Sequence, residues 1–209
     1  LKIIQSGVIE ADRLKINQRQ LELRLHLPAG TLSKENEYEY SDVLIRCERT
    51  LKKECCIRYA FLKVEADIEG DRSCNLELFS IDSVDLAKNL KGSTGAVLMG
   101  VTLGAEADRL LKRLSITSKS EHFITDALAS ALVDTAADRV EELARNNLNE
   151  VKSCSFRQRY SPGYGDCSIE NQRAFLKAIE GEKNLGISLN DHCFMSPSKS
   201  ITSIMGFSE

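Results

Sequence analysis

The run from about Ser120 to Asn149 constrains this chain more than any other stretch. Ile124, Leu128, Leu132, Thr135, Val140 and Leu143 recur at helical spacing and keep one apolar face, while Ala127, Ala129, Ala131, Ala136 and Ala137 permit close packing. This reads as a long central helix. Asp134 and Asp138 fall on a different face at i and i+4, so their carboxylates are neighbours. Such a pair is ordinarily part of a solvated face.

The apolar run Ala96 to Leu103 is the best candidate for a buried strand, and it feeds directly into a helix from Gly104 to about Leu114. A glycine at a strand-to-helix turn invites a phosphate-binding reading through the exposed helix amides. Neither G-x-G-x-x-G nor G-K-[ST] is present, and Glu106 and Asp108 already place negative charge at that helix end. A tight structural turn is the better reading.

Upstream, Leu21, Leu23 and Leu25 alternate with charged residues as in a half-buried strand, although a helix is also open, and Pro28-Ala29-Gly30 breaks the segment. The acidic stretch Ser33 to Glu39 leads into a helix from about Tyr40 to Lys53, with Val43, Leu44, Cys47 and Leu51 at helical spacing. Cys56 to Ile68 is strand-like. Glu69-Gly70-Asp71 reads as a hairpin turn, with Leu76, Leu78 and Ile81 on the return strand. Ser83 caps a short helix, Val84 to Leu90, that Gly92 ends. Downstream, Leu148 to Gln158 reads as a linker, and Asp166 or Ser168 caps a helix from Ile169 to Leu185 that stops at Gly186. Ile187 to Met195 and Ser200 to Phe207 read as closing strands around Pro197. The sum is an α+β fold in one domain spanning 1–209, with helices packed on a mainly antiparallel, twisted sheet.

A length of 209 residues suits one compact domain with a real core. The net charge of −3, with no basic stripe carrying interleaved aromatics, argues against nucleic acid as a partner. No apolar run reaches the length of a membrane span and no signal peptide pattern opens the chain, so the expectation is a cytoplasmic protein that does not engage membranes. Seven cysteines without C-x-x-C spacing give no support for a structural zinc site and read as reduced thiols; adjacent Cys55 and Cys56 are poor candidates for a bridge. His26, His122 and His192 are scattered and match neither H-E-x-x-H spacing nor a recognised triad.

One loop carries the functional signal: Arg159-Tyr160-Ser161-Pro162-Gly163-Tyr164-Gly165-Asp166-Cys167. Pro162-Gly163 is a strong turn signal, flanked by a guanidinium and a phenol. Such a loop can hold a carboxylate through Arg159 and pack a ring or thioether against Tyr164. Taken alone it reads first as an ordinary capped turn leading into the next helix, since Pro-Gly turns are common. Further on come Glu182-Lys183, Leu185 to Leu189, and Met195-Ser196-Pro197-Ser198-Lys199-Ser200.

An R-x-x-P-G-Y-x-x-C loop, a helix ending near E-K-x-x-G-x-x-L, then M-x-P-x-x-S is an order that resembles the activation domain of cobalamin-dependent methionine synthase. The chain looks most like free-standing versions of that domain, over about Gly100 to Gly206. The resemblance implies binding of S-adenosylmethionine: Arg159 on the methionyl carboxylate, backbone groups of Ser161 and Gly163 with the Tyr164 ring framing the ligand, and Asp134 near its cationic end. Tyr160 stands where the methionine synthases carry Pro. The implied partner is a corrinoid-bearing methionine synthase lacking its own activation domain, with cobalamin present only through that partner and electrons from a donor such as a flavodoxin or ferredoxin. The D-x-H-x-x-G pattern of a corrinoid module is absent here. A second reading is a docking or scaffold module for a corrinoid methyltransferase that does not bind S-adenosylmethionine.

Overall fold

The computed structural model describes residues 4–32, 41–69, 72–149 and 153–208. In chain order the elements are β1 (Gln5–Ile9), α1 (Gln18–Arg24), α2 (Ser41–Glu54), β2 (Ile57–Glu69), β3 (Ser73–Leu76), β4 (Phe79–Asp82), α3 (Val84–Leu90) and β5 (Gly95–Thr102). They continue with α4 (Ala105–Thr117), α5 (Lys119–Asn149), β6 (Ser155–Phe156), α6 (Gln172–Ala178), α7 (Gly181–Leu185), β7 (Ser188–Leu189), β8 (Met195–Ser196) and β9 (Ser200–Ser208).

Strand β5 sits inside the sheet because all eight of its residues are apolar or small enough to be buried on both faces. The sheet runs β4-β3-β2-β5-β9-β6, with β1 also alongside β2, and every strand pair is antiparallel. The period-2 alternation of β5 sorts the core into two layers. Val97, Met99 and Val101 face the cluster built from α2, α4 and α5, whereas Ala96 and Leu98 face α3, α6 and α7. Burying each such large aliphatic side chain contributes about 1.5–3 kcal/mol. Gly100 on β5 lets the helical layer approach closely: a Cβ there would lie 2.7 Å from the terminal methyls of Ile179 and Leu185, which would have to shift. The result is an α+β molecule with a mainly antiparallel sheet between helical layers, as expected.

Helix α5 is the predicted central helix, with Leu128, Ala129, Ala131, Leu132, Ala136 and Val140 fully buried. Ser83 caps α3 through its side chain, accepting from Leu86 N at 3.0 Å. Gly104 turns β5 into α4 at φ +86, a conformation glycine tolerates, and Asp108 at that helix end accepts from Ser198 N and Oγ at 2.8 and 2.7 Å. That corner is a structural tie.

Several expectations need correction. Leu21 and Leu23 lie on helix α1, capped by Asn17, with Leu21 buried and Leu23 exposed. The predicted return strand through Leu76, Leu78 and Ile81 is two strands, because a tight turn pairs Leu76 with Phe79 and leaves Leu78 outside. The turn residues Gly70 and Asp71, and the acidic lead-in Ser33 to Glu39, lie outside the described residues. The helix predicted from Ile169 to Leu185 is a 3-10 turn, then α6, then α7, interrupted where Glu180 adopts φ +50. The strand predicted over Ile187 to Met195 is a separate two-stranded hairpin of β7 and β8, closed by Cys193 N donating to Asn190 O at 3.0 Å. Ser200 to Phe207 forms β9 in the main sheet as read, and the linker Leu148 to Gln158 contains β6.

Candidate functional site

The Arg159–Cys167 loop begins as an irregular extension of β6 along the free edge of β9. Arg157 N donates to Gly206 O at 2.8 Å, and Tyr160 and Ile204 exchange both backbone hydrogen bonds at 2.8 Å. The chain then turns at Pro162-Gly163. Tyr164 N donates to Ser161 O at 3.3 Å, Gly163 N to Cys167 O at 2.9 Å, and the Tyr160 hydroxyl to Tyr164 O at 2.8 Å. Gly163 sits at φ +90, which the turn requires of glycine.

Arg159 reaches from this loop to α5. Its Nη2 donates to Asp138 Oδ1 at 2.5 Å, and its Nε lies 2.9 Å from Glu141 Oε2. The side chain is only 24 % exposed, so it is a clamp between loop and helix rather than an exposed loop charge. Its Nη1 is buried with no hydrogen-bond partner. Asp134, one turn back along α5, is ion-paired with Arg24 of α1. Glu141 is shared with Arg145 at 2.6 Å.

A cleft of about 430 Å³ opens between the loop, α5, α6 and β9. Of the five residues assigned from the sequence, Asp134, Arg159, Ser161 and Tyr164 line it. Gly163 does not, because its amide and dihedral close the turn beneath. Tyr164 is 69 % exposed at the rim. A shallower groove continues past Asp134 and Arg159 to Gln20, Leu23 and Arg24 of α1.

Sequence reasoning missed several lining residues. Tyr160 and Pro162 sit in the loop itself, but Gln172, Met195 and Ser203 come from three other elements. Gln172 is buried and donates through Nε2 to Met195 Sδ at 2.9 Å. Met195 lay within the M-x-P-x-x-S stretch and could have been picked out there; Ser203 carries no signal in sequence. Among the described residues, five buried side-chain nitrogen or oxygen atoms lack a partner, and two of them, Arg159 Nη1 and Ser203 Oγ, belong to residues that line this one cleft.

Asp166 does not cap the helix that follows it. It caps α3, accepting from Ser83 Oγ at 2.5 Å, Val84 N at 2.7 Å and Asp85 N at 3.1 Å, while Ser168 takes the local capping role through Glu170 N at 3.2 Å. The Ser83 hydroxyl, helped by the Val84 and Asp85 amides, holds the Asp166 carboxyl below its ordinary value. Burial pushes the Asp138 carboxyl up, with Arg159 pulling the other way. Burial also pushes the Cys167 thiol up, where it packs in the α3, α6 and α7 layer. Cys55 and Cys56 are unbridged, with burial raising Cys55 to about 12. Among the described residues no group of three or more His, Cys, Asp or Glu could hold a metal ion, and no helix is long and apolar enough to cross a membrane.

Fold and cleft together define an antiparallel α+β unit with a cleft of mixed polar and apolar lining where a loop meets the sheet edge. Neither a family model nor a curated protein matches the chain. Among solved structures it is similar to one described as the crystal structure of the MetH reactivation domain bound to AdoHcy. The TM-score is 0.73 at 15 % identity, over 98 % of this chain and 78 % of that one. The chain therefore has the fold of that reactivation domain.

Proposed function

We propose that this protein is, as one unit, a reactivation partner for a cobalamin-dependent methionine synthase that lacks its own activation domain. In this reading it binds S-adenosylmethionine in the Arg159–Cys167 cleft for reductive methylation of cob(II)alamin. The observation that carries the reading is the meeting of Asp134, Arg159, Ser161 and Tyr164 at one cleft, two of whose lining residues, Arg159 and Ser203, each have a buried polar atom without a partner. A native structure leaves few such atoms, and a ligand that pairs with them accounts for both. The volume falls in the range of small-molecule sites. The similarity to a domain described as bound to AdoHcy supports the choice of ligand.

Bound S-adenosylmethionine would supply the transferable methyl group. This chain's residues would do the positioning: Arg159 Nη1 donates to the carboxylate, Tyr164 covers the ring or thioether, and Asp134 and Asp138 favour the cationic end. Cobalamin would arrive with the partner, and the electron from a flavodoxin or ferredoxin. Titration calorimetry with S-adenosylmethionine and AdoHcy tests this directly. One-to-one binding that weakens in Tyr164→Ala and disappears in Arg159→Gln is the expected result. No heat at millimolar ligand would overturn the ligand assignment.

One observation favours the second reading, a docking module that needs no S-adenosylmethionine. Arg159 and Asp134 already have protein partners of opposite charge, in Asp138, Glu141 and Arg24. Association with a purified corrinoid methyltransferase without any heat of S-adenosylmethionine binding would select it.

A further inference from the structure

The geometry points to Ser203 as a ligand-contacting, specificity-determining residue of this cleft, donating from the strand side to the same ligand end that Arg159 holds from the loop side. Ser203 is 1 % exposed, its Oγ has no partner, and it lines the cleft. Burying a hydroxyl without a hydrogen bond is destabilising, so its retention there asks for a compensating role.

Register shows where the hydroxyl stands. Tyr160 and Ile204 form an antiparallel bridge, so the next opposed pair is Ser161 with Ser203. After a pair that exchanges both hydrogen bonds, the next is the close kind, with its side chains on the other face. Tyr160 and Ile204 pack with the α3, α6 and α7 layer. The strand neighbours of Ser203 at two-residue spacing, Ile201 and Met205, pack with the α5 layer. Ser203 therefore faces the α5 side, where Arg159 meets Asp138 and Glu141. Arg159 and Ser203 thus line one cleft from the loop side and the strand side, and each brings a buried donor without a partner, Nη1 and Oγ, that a carboxylate settling into the cleft would fill as the two side chains adjust to it.

Ser93 provides an internal control. Its Oγ is also buried and unpartnered, yet it stands against Gly206, away from the cleft lining. The inference rests on the S-adenosylmethionine reading, and the experiment separates the two. AdoHcy is titrated into wild type, Ser203→Ala and Ser93→Ala, and each is melted without ligand. Ser203→Ala is expected to bind about tenfold more weakly, with a Tm unchanged or raised by roughly 2–4 °C. Ser93→Ala should share the Tm behaviour and keep wild-type affinity. A merely structural Ser203 would move the Tm and leave affinity alone. Ser203→Ala binding AdoHcy as wild type does overturns this inference and spares the functional reading, whereas wild type that fails to bind overturns both.

Discussion

Arg159 and Asp166 bracket one turn, and each clamps it to a distant helix, but they differ in what they leave unused. Asp166 gives both carboxylate oxygens to the open N-terminus of α3, to one hydroxyl and two amides. Its bonding capacity is directed wholly at folding. Arg159 gives Nη2 and Nε to the carboxylates of α5 and keeps Nη1 buried and unpaired, in a cleft where Ser203 does the same. An unfilled buried donor costs stability because the lost hydration is not returned. Ser93 carries that cost away from the cleft, whereas Arg159 and Ser203 carry it in residues that line the cleft, which is where the proposed ligand would offset it.

The largest separation between the two ends should come from Arg159→Ala. AdoHcy affinity is expected to fall by at least about a hundredfold, since charge-assisted hydrogen bonds to a carboxylate are the strong ones. Stability should fall by about 1 kcal/mol, between the small value of an exposed ion pair and the larger one of a buried pair, because Asp138 and Glu141 lose their shared cation. Calorimetry and urea denaturation read the two effects. If stability fell while affinity held, Arg159 would be a clamp of the same kind as Asp166.

Asp166→Asn should do the reverse, lowering the Tm by a few degrees while AdoHcy affinity stays within about twofold. Its pH dependence has a definite sign. The folded carboxyl is held below its unfolded value, so its stabilisation is complete above the ordinary carboxylate range and is lost as pH falls through the folded value. Melting curves from neutral to acid pH should therefore show wild type losing its advantage over Asp166→Asn. The smallest effect belongs to Tyr164→Ala. An exposed rim residue should change stability by less than about 0.5 kcal/mol. Its affinity loss should be a few-fold, read in the same titration.

How much of this was legible beforehand depends on the range of the interaction concerned. The strand at Ala96, the Ser83 cap, the Gly104 turn and the long helix through Leu128 are short-range patterns, and they stand where the sequence placed them. The break in the helix after Ala178 was not legible, because no proline marks it and Glu180 takes its left-handed φ in tertiary context. Asp166 and Ser168 were both open as the cap of the helix that follows, because a carboxylate before a helical run looks the same whichever helix end it meets; Ser168 takes that role. The fold brings Asp166 to α3, more than eighty positions back. Arg159 was legible as a loop guanidinium able to hold a carboxylate, but not as a clamp on α5, since its partners lie on a helix earlier in the chain. Ser203 offered nothing to read, one small residue among several in its strand.

Composition, periodicity and capping residues therefore determined the element types, the buried central strand and the antiparallel α+β class. Those depend on which faces of a local segment are apolar, and local order is written in neighbouring residues. Motif order pointed to the loop. Only the tertiary structure decided which charges of that loop are already neutralised, which helix it caps, and which two polar atoms are buried without partners at the cleft. Pairing and desolvation are properties of atoms brought together from distant parts of the chain, and no local pattern records them.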